Sequence, residues 1–516
     1  MITNKNISQF LISISLVCSF SSCEGDFIEI DNPNQMTDDG FWKTEEDMRK
    51  AMLASYGGIY FEGTFSQWYD LVFEMRSDLC YNESSWVDYN NFSKFQYPST
   101  NWECISYCWM HHYQAINMTN KFLAHIDDQG IEIDPALRTR WKGEVSFLRA
   151  LFYFNMANLY GAVPVITEPM DEVKFPANGT VQDVYDQVLA DLSVAKAANL
   201  PATVPDNELG RVTNGAVVML QGKAYMQLHN WSEAANCLKS LIDSGLYKLT
   251  AEYSDNFDLD HEFNSESVFE LNFTDNGGKG DWSGYGHANS PMTTQTSKYF
   301  SPRLIGGHSD AQPNYFYLEE FTDKTPDGKT DPRKNKSILW TLSQNLFGKK
   351  FTDLGGQRNT NPQRPLIWRI KYSTGQYRTQ EDQWSPINSR IMRYADVLLM
   401  YAEALNNLGQ TKAAYQYIDQ VRQRAGVVTL SEFSPNLSQS DMQKQIEHER
   451  IVELGGESVR WFDLQRWGYL DTEEGKQMLL EHDYEFQNFR PGYDKYLPIP
   501  QNDIDQNPNI RQNPGF

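Results

Sequence analysis

The chain has 516 residues, of which 40% are hydrophobic, and is long enough to bury a large core. Its formal net charge of −23 argues against nucleic acid as a partner, because an acidic surface is repelled by phosphate groups. Only 6 cysteines are present, so a disulfide-built scaffold is excluded and a hydrophobic core must stabilise the fold.

The first 22 residues have the pattern of a lipoprotein signal peptide. Lys5 is their only charge, and the apolar run over residues 7–20 is too short and too polar to span a bilayer of about 30 Å. The run ends in Phe20-Ser21-Ser22-Cys23, where small serines suit cleavage before Cys23. We therefore predict a lipid anchor on Cys23. Cleavage before Cys18 would shorten the apolar run, and ordinary secretion with a free Cys23 thiol is the alternative.

Helical periodicity with capping residues predicts helices that pack in pairs. In residues 213–244, Thr213 caps the first helix, His229-Asn230 forms the turn, and Gly245 ends the second helix. The other candidate pairs are 391–426, 45–58 with 105–126, and 141–160 with 181–198. These patterns predict a mostly α, tetratricopeptide-like scaffold of about four helical pairs with little β structure.

Two large irregular insertions, near residues 60–113 and 272–390, interrupt the helical pairs. The first contains 16 aromatic residues in 54 positions, and the second begins with a glycine-rich stretch around Trp282. Long loops are usually either functional or disordered, and this aromatic density argues against disorder. We therefore predict that both insertions form ordered ligand-binding loops.

The insertions combine flat aromatic rings with polar side chains. Sugar rings have apolar C–H faces and polar rims, so a sugar site needs Trp or Tyr faces beside Asp, Asn or Arg side chains. The candidate ligand-binding residues are Arg76, Asp78, Tyr81, Asn82, Trp86, Tyr89, Trp282 and Tyr285. The alternative is that these aromatic residues belong to the core, where most large aromatic side chains lie.

Cys104, Cys108, His111 and His112 follow the spacing C-x3-C-x2-H-H, which invites a zinc interpretation. Apolar neighbours such as Trp109 favour a packed helix with buried thiols instead. We predict no metal site here. The sequence leaves open a structural calcium ion held by scattered loop oxygens, and no other cofactor is expected.

A run of alternating charges extends from Arg450 to Arg466. Its carboxylates could act as the acid and base of a glycoside hydrolase. However, each carboxylate has an arginine three or four residues away, which lowers a pKa that a general acid needs raised. We therefore predict structural ion pairs along one side of a helix, and no catalytic residues. The chain also lacks nucleophile-elbow and phosphate-loop motifs.

Several segments form a pattern in their order and spacing: Asp39-Gly-Phe-Trp42, Gly143 to Arg149 and on to Tyr160-Gly-Ala-Val-Pro164, Gly210-Arg-Val-Thr213, Asp331-Pro-Arg333, Arg393 to Ala404, Glu449-Arg450 to Trp467, and Tyr496 to Pro500 with Asn513 to Phe516. Together these segments resemble the SusD/RagB family of outer-membrane lipoproteins of Bacteroidota. They cover nearly the whole chain after the leader.

The resemblance implies one SusD-like domain over residues 23–516 that captures oligosaccharide at the cell surface without cleaving it. It also implies delivery of the ligand to a SusC-like TonB-dependent transporter in the outer membrane. Glu24 and Asp26 after Cys23 are similar to the acidic signal that directs these lipoproteins to the outer leaflet. An oligopeptide-binding lid of a RagAB-like importer, a glycoside hydrolase and a helical-repeat adaptor with only protein ligands remain alternatives.

Overall fold

The described part of the chain is built mainly from α-helices. The computed structural model describes residues 41–170, 174–274, 292–357 and 364–516. The helices are α1 Glu45–Gly57, α2 Trp68–Met75, α3 Val87–Ser93, α4 Glu103–His125, α5 Pro135–Tyr160, α6 Val181–Ala197, α7 Asn214–Gln227, α8 Trp231–Asp243, α9 Thr296–Phe300, α10 Tyr315–Glu320, α11 Lys334–Ser337, α12 Tyr394–Asn407, α13 Thr411–Ala425, α14 Leu430–Phe433, α15 Gln439–Leu454, α16 Arg460–Arg466, α17 Glu473–His482 and α18 Gln501–Gln506.

The strands that the structure describes form three short antiparallel sheets, which pair β1 with β3, β2 with β6, and β4 with β5. The strands are β1 Cys80–Tyr81, β2 Ser267–Leu271, β3 Gln312–Pro313, β4 Ile338–Leu339, β5 Trp368–Arg369 and β6 Ser389–Arg393. In the first sheet Cys80 lies opposite Pro313, which joins the two insertions to each other. Among the described helices, none is both long enough and apolar enough to cross a bilayer.

The four predicted helical pairs are confirmed. Helix α1 packs on α4, α5 on α6, α7 on α8, and α12 on α13. Thr213 caps α7 by accepting a hydrogen bond from the Ala216 amide at 3.4 Å. Asn230 caps α8 in the same way through the Glu233 amide at 3.3 Å. The mostly α scaffold therefore follows from local signals that are visible in the sequence.

The insertions are more regular than the sequence analysis predicts. Residues 60–113 contain α2, α3 and the first turns of α4. Immediately after the second insertion, Ile391 lies in strand β6 and not at the start of the predicted helix. Most aromatic side chains of this insertion are buried: Trp68, Phe73 and Phe92 are each at most 1% exposed. For these residues the core interpretation is correct, since burying a large aromatic ring stabilises the fold more than exposing it.

Helix α4 is packed as the sequence predicts. Cys104 and Cys108 are fully buried in the main hydrophobic core. His112 Nδ1 lies 2.7 Å from the carbonyl oxygen of Cys108, and His111 Nδ1 accepts a hydrogen bond from the Gly63 amide at 2.8 Å. Burial lowers the pKa of both histidines to about 4. These four side chains therefore have structural partners in the core.

The charged run forms ion pairs, but it does not lie on one helix. Helix α15 ends at Leu454, Gly456 has the left-handed φ of +80°, and α16 begins at Arg460. The bend brings Asp463 to within 2.7 Å of Arg450 Nε, and Asp396 on α12 lies 2.8 Å from Arg450 Nη1. Ion pairing is therefore confirmed, whereas the predicted continuous helix is wrong. The glycines at 455 and 456 are the sequence signal for this break.

Candidate functional site

An exposed tryptophan, Trp86, marks the candidate binding surface. Among the tryptophans that the structure describes, Trp86 is the only one more than half exposed, at 51%. It immediately precedes α3 in the first insertion, and its backbone carbonyl accepts the hydrogen bond of the Asn90 amide at 3.1 Å. Val87 beside it is 68% exposed. The surface therefore offers a large indole face directly to solvent.

Contacts with other aromatic rings hold Trp86 in place. Its ring centroid lies 4.8 Å from that of Tyr89, one turn later on α3. Tyr89 in turn packs edge-to-face on the fully buried Trp68, with centroids 5.1 Å apart. The Trp86 amide also donates a hydrogen bond to Ser84 Oγ at 3.2 Å. Trp86 thus contacts a ring of the core, and this contact limits the side-chain freedom that is lost on binding.

Two arginines of the second insertion hold the loop that precedes Trp86. Arg303 donates from Nη2 to the Glu83 carbonyl at 2.8 Å and from Nε to the His308 carbonyl at 3.0 Å. Arg364 forms an ion pair with the Glu83 carboxylate at 2.7 Å and a second one with Glu485. The two predicted insertions therefore meet at Glu83, three residues before Trp86.

A polar layer lies beneath the same loop. Asp310 is 3% exposed, and its Oδ1 has no hydrogen-bonding partner among the described residues. Burial raises the Asp310 pKa to about 7, although Ser84 and Arg303 act in the opposite direction. Burial also lowers the pKa of His308 to about 4, and its ring lies tilted against that of Tyr299, with centroids 5.2 Å apart. Near neutral pH the imidazole is therefore uncharged.

The structure revises the roles predicted for Arg76 and Asp78, because both are fully buried. The Arg76 guanidinium lies 4.2 Å from the centroid of the Trp461 ring and donates to the Asp494 carbonyl. Asp78 accepts two hydrogen bonds from Arg460, at 2.8 and 2.7 Å. Burial alone would raise the Asp78 pKa, but Arg460 holds it well below its usual range. These side chains attach the insertion to the scaffold and do not face solvent.

Tyr81, Asn82 and Tyr89 are also buried, at 1%, 0% and 3% exposure. The Tyr81 hydroxyl donates to the Pro365 carbonyl at 2.7 Å. Asn82 donates from Nδ2 to the Tyr89 carbonyl at 3.1 Å and accepts from the Ser84 amide at 2.8 Å. These residues shape the loop under Trp86. Of the six predicted ligand-binding residues that the structure describes, only Trp86 presents its side chain to solvent.

Trp282 and Tyr285 belong to residues 275–291, which lie outside the described residues. The residues that flank this segment are joined, since the Thr274 amide donates to the Met292 carbonyl at 2.6 Å. The two candidates remain predictions. Arg303, Asp310 and Arg364 were not predicted, because their proximity to Trp86 depends on contacts between distant parts of the chain that no local motif encodes.

Comparison with known proteins identifies the family. The model of the SusD family matches residues 252–516, and a second model, described as starch-binding associating with outer membrane, matches residues 26–226. The chain belongs to the SusD family. The family and the tetratricopeptide-like helical fold are those that the sequence predicts.

Individual relatives align over almost their whole lengths. The chain is 27% identical to SusD-like protein P25 of Formosa agariphila over 540 aligned residues, which cover 97% of each protein. A SusD superfamily protein from Bacteroides vulgatus superposes with a TM-score of 0.80 at 26% identity, over 92% of this chain and 100% of that one. A laminarin binding SusD-like protein superposes with a TM-score of 0.73 at 26% identity, with the same coverage.

Proposed function

We propose that this chain is a non-catalytic glycan-binding lipoprotein of the outer membrane. It captures oligosaccharide at the cell surface and passes it to a SusC-like TonB-dependent transporter. Membership of the SusD family supports this proposal, as does the similarity to a laminarin binding protein at 26% identity. The observation that carries it is the half-exposed indole of Trp86, which packs on the buried Tyr89 ring and follows a loop whose Glu83 is held by Arg303 and Arg364.

Trp86 suits one face of a sugar ring. The C–H face of a pyranose packs on the indole, while the hydroxyl groups at the rim reach polar groups such as Arg303 and Glu83. A single stacking platform predicts weak binding, with dissociation constants of about millimolar to micromolar. Such affinity suffices for a protein tethered beside its transporter, because tethering raises the effective ligand concentration.

The buried carboxylates of the charged run do not have the raised pKa of a general acid. Burial alone would raise the pKa of Asp463, but Arg450 and Arg466 keep it below its usual range. Arg424, Arg393 and Arg333 lower the pKa of Glu453 in the same way. A general acid in glycoside hydrolysis needs the opposite shift.

Replacing Trp86 with alanine is expected to weaken oligosaccharide binding at least tenfold, or by about 1.4 kcal/mol or more, because the stacking face is lost. Calorimetric titration with soluble laminarin and starch oligosaccharides measures this change. The matched control is Phe433→Ala, which removes another exposed aromatic ring, 68% exposed on helix α14.

Wild-type affinity in Trp86→Ala contradicts the assignment of the binding surface. Steady release of shorter sugars from the wild-type protein would instead indicate a hydrolase. Binding of oligopeptides with no response to any glycan of the panel would favour the peptide-importer alternative.

Lipid anchoring at Cys23, which lies outside the described residues, has its own test. Cys23→Ser is expected to abolish incorporation of labelled palmitate and to move the protein from the membrane fraction to the soluble fraction, because stable anchoring needs acyl chains. Cys18→Ser is the control and should leave both readouts unchanged. Labelling that persists in Cys23→Ser but disappears in Cys18→Ser would reverse the assignment.

A further inference from the structure

A second surface cavity lies on the helical scaffold. It has a volume of about 500 Å³, within the range of about 300–1,000 Å³ found for small-molecule sites. It is bordered by the α7–α8 turn, the end of α12, the first half of α15 and the turn after α16. We call it the scaffold pocket. Side chains that line it include His229, Trp231, Asn407, Gln443, Trp467 and Tyr469.

The aromatic side chains on one side of the scaffold pocket are held by buried or partly buried charges. Trp467 donates from Nε1 to Glu403 Oε1 at 2.9 Å. Glu403 is fully buried and also accepts a hydrogen bond from Arg466 Nε at 3.2 Å. Tyr469 donates to the Glu447 carboxylate, with its hydroxyl 2.9 Å from Oε2. Gln443 donates to the other oxygen of the same carboxylate at 3.1 Å.

A second aromatic pair completes the pocket. The rings of His229 and Trp231 are stacked, with centroids 5.2 Å apart and an angle of 12° between their planes. His229 Nε2 lies 2.6 Å from the Arg466 carbonyl oxygen, which can only accept, so this nitrogen carries the proton. The turn that carries His229 is therefore fixed to the end of α16, and Trp231 is positioned as the first residue of α8.

The chemistry of these groups selects a neutral polyhydroxylated ring. Two indoles and a phenol supply flat faces, while Asn407 and Gln443 bring amide groups to the pocket lining. The carboxylate of Glu403 is neutralised by Arg466, with which it forms an ion pair. An anion would meet the Glu447 carboxylate, and a purely apolar ligand would displace water from the polar lining without replacing its hydrogen bonds.

We propose that the scaffold pocket is a second carbohydrate-binding site, which takes a short neutral saccharide independently of the Trp86 surface. The proposal rests on the proposed function for its ligand class, because aromatic faces beside polar side chains would recognise a saccharide at the scaffold pocket as they do at the Trp86 surface. The scaffold pocket lies elsewhere than the Trp86 surface, since its lining residues belong to the helical scaffold and to neither of the two insertions. The protein would then hold a glycan at two points.

Fluorine NMR of the full mature chain labelled with fluorotryptophan tests the second site. Single Trp→Phe variants assign the resonances of Trp86, Trp231 and Trp467, and maltose and laminaribiose are the probes. We expect both disaccharides to shift the Trp231 and Trp467 resonances at millimolar concentration, with the same midpoint in wild-type protein and in Trp86→Ala. Gln443→Ala should raise the midpoint at least tenfold at the scaffold pocket and leave the Trp86 titration unchanged.

The outcomes separate the two proposals. Shifts of Trp86 alone, with Trp231 and Trp467 unchanged up to saturation of Trp86, overturn the second site and leave the proposed function intact. Shifts of Trp231 and Trp467 without any response of Trp86 support the scaffold pocket and contradict the proposed binding surface. No response of the three resonances to either sugar overturns the second site.

Discussion

Replacing Glu453 with alanine is expected to lower the free energy of unfolding by about 3–5 kcal/mol, because three buried guanidinium groups each lose one of their carboxylate partners. Glu453 is fully buried on α15. Its Oε1 lies 2.7 Å from Arg393 Nη1 and also contacts Arg424, and its Oε2 lies 3.1 Å from Arg333 Nη1. Three segments that are far apart in the sequence are therefore joined at one carboxylate.

Urea unfolding followed by circular dichroism measures this loss. The Glu453→Gln variant distinguishes the loss of the negative charge from the loss of side-chain volume. It preserves the shape of the side chain and should still destabilise the protein, since the arginines remain charged. The control is Asp243→Ala, which breaks an exposed ion pair with Lys239 at 2.6 Å and should have no measurable effect. A loss below about 1 kcal/mol in Glu453→Ala would contradict the structural role of the network.

Stability is expected to decrease as the pH rises from about 6.5 to about 10, because His448 then loses its proton. His448 Nδ1 lies 2.7 Å from Glu320 Oε1, and Nε2 lies 2.8 Å from Asp323 Oδ2, so both ring nitrogens donate to carboxylates. Burial alone would lower the His448 pKa, but Asp323 and Glu320 raise it to about 10.

The sign follows from this upward shift. The folded protein binds the His448 proton more tightly than the unfolded chain does, so the stabilisation is complete below the unfolded pKa of about 6.5 and is lost as the pH approaches 10. The expected loss is a few kcal/mol, at about 1.36 kcal/mol per pKa unit. Urea titrations of wild-type protein and His448→Gln over this pH range measure it. Their difference isolates the residue, because all other titrating groups are shared. Parallel curves would contradict the prediction.

Local signals in the sequence were sufficient for the helical scaffold. Thr213, Asn230 and Gly245 delimit α7 and α8 in the structure where their capping preferences place them in the sequence. The break between α15 and α16 was equally local, since Gly455-Gly456 interrupts the charged run, but the regular spacing of charges concealed it.

The candidate site was predictable only in part. Trp86 was found from composition, because an aromatic residue among polar neighbours indicates an exposed ring. Asp78 has the same kind of neighbours, yet it is buried against Arg460, which lies 382 positions away in the sequence. Nothing near Asp78 in the sequence reveals that partner. Arg303 likewise reaches the Glu83 carbonyl from 220 positions away. Long-range pairing decides which polar residues of a loop face a ligand.

A crystal structure of the mature chain with a bound oligosaccharide tests most directly whether the Trp86 surface captures glycan. We expect a sugar ring lying flat on the Trp86 indole, at a van der Waals distance of about 4 Å. The rim hydroxyls should contact polar groups of the two insertions, such as Arg303. An oligosaccharide bound elsewhere, with the Trp86 ring exposed to solvent in the complex, would contradict it.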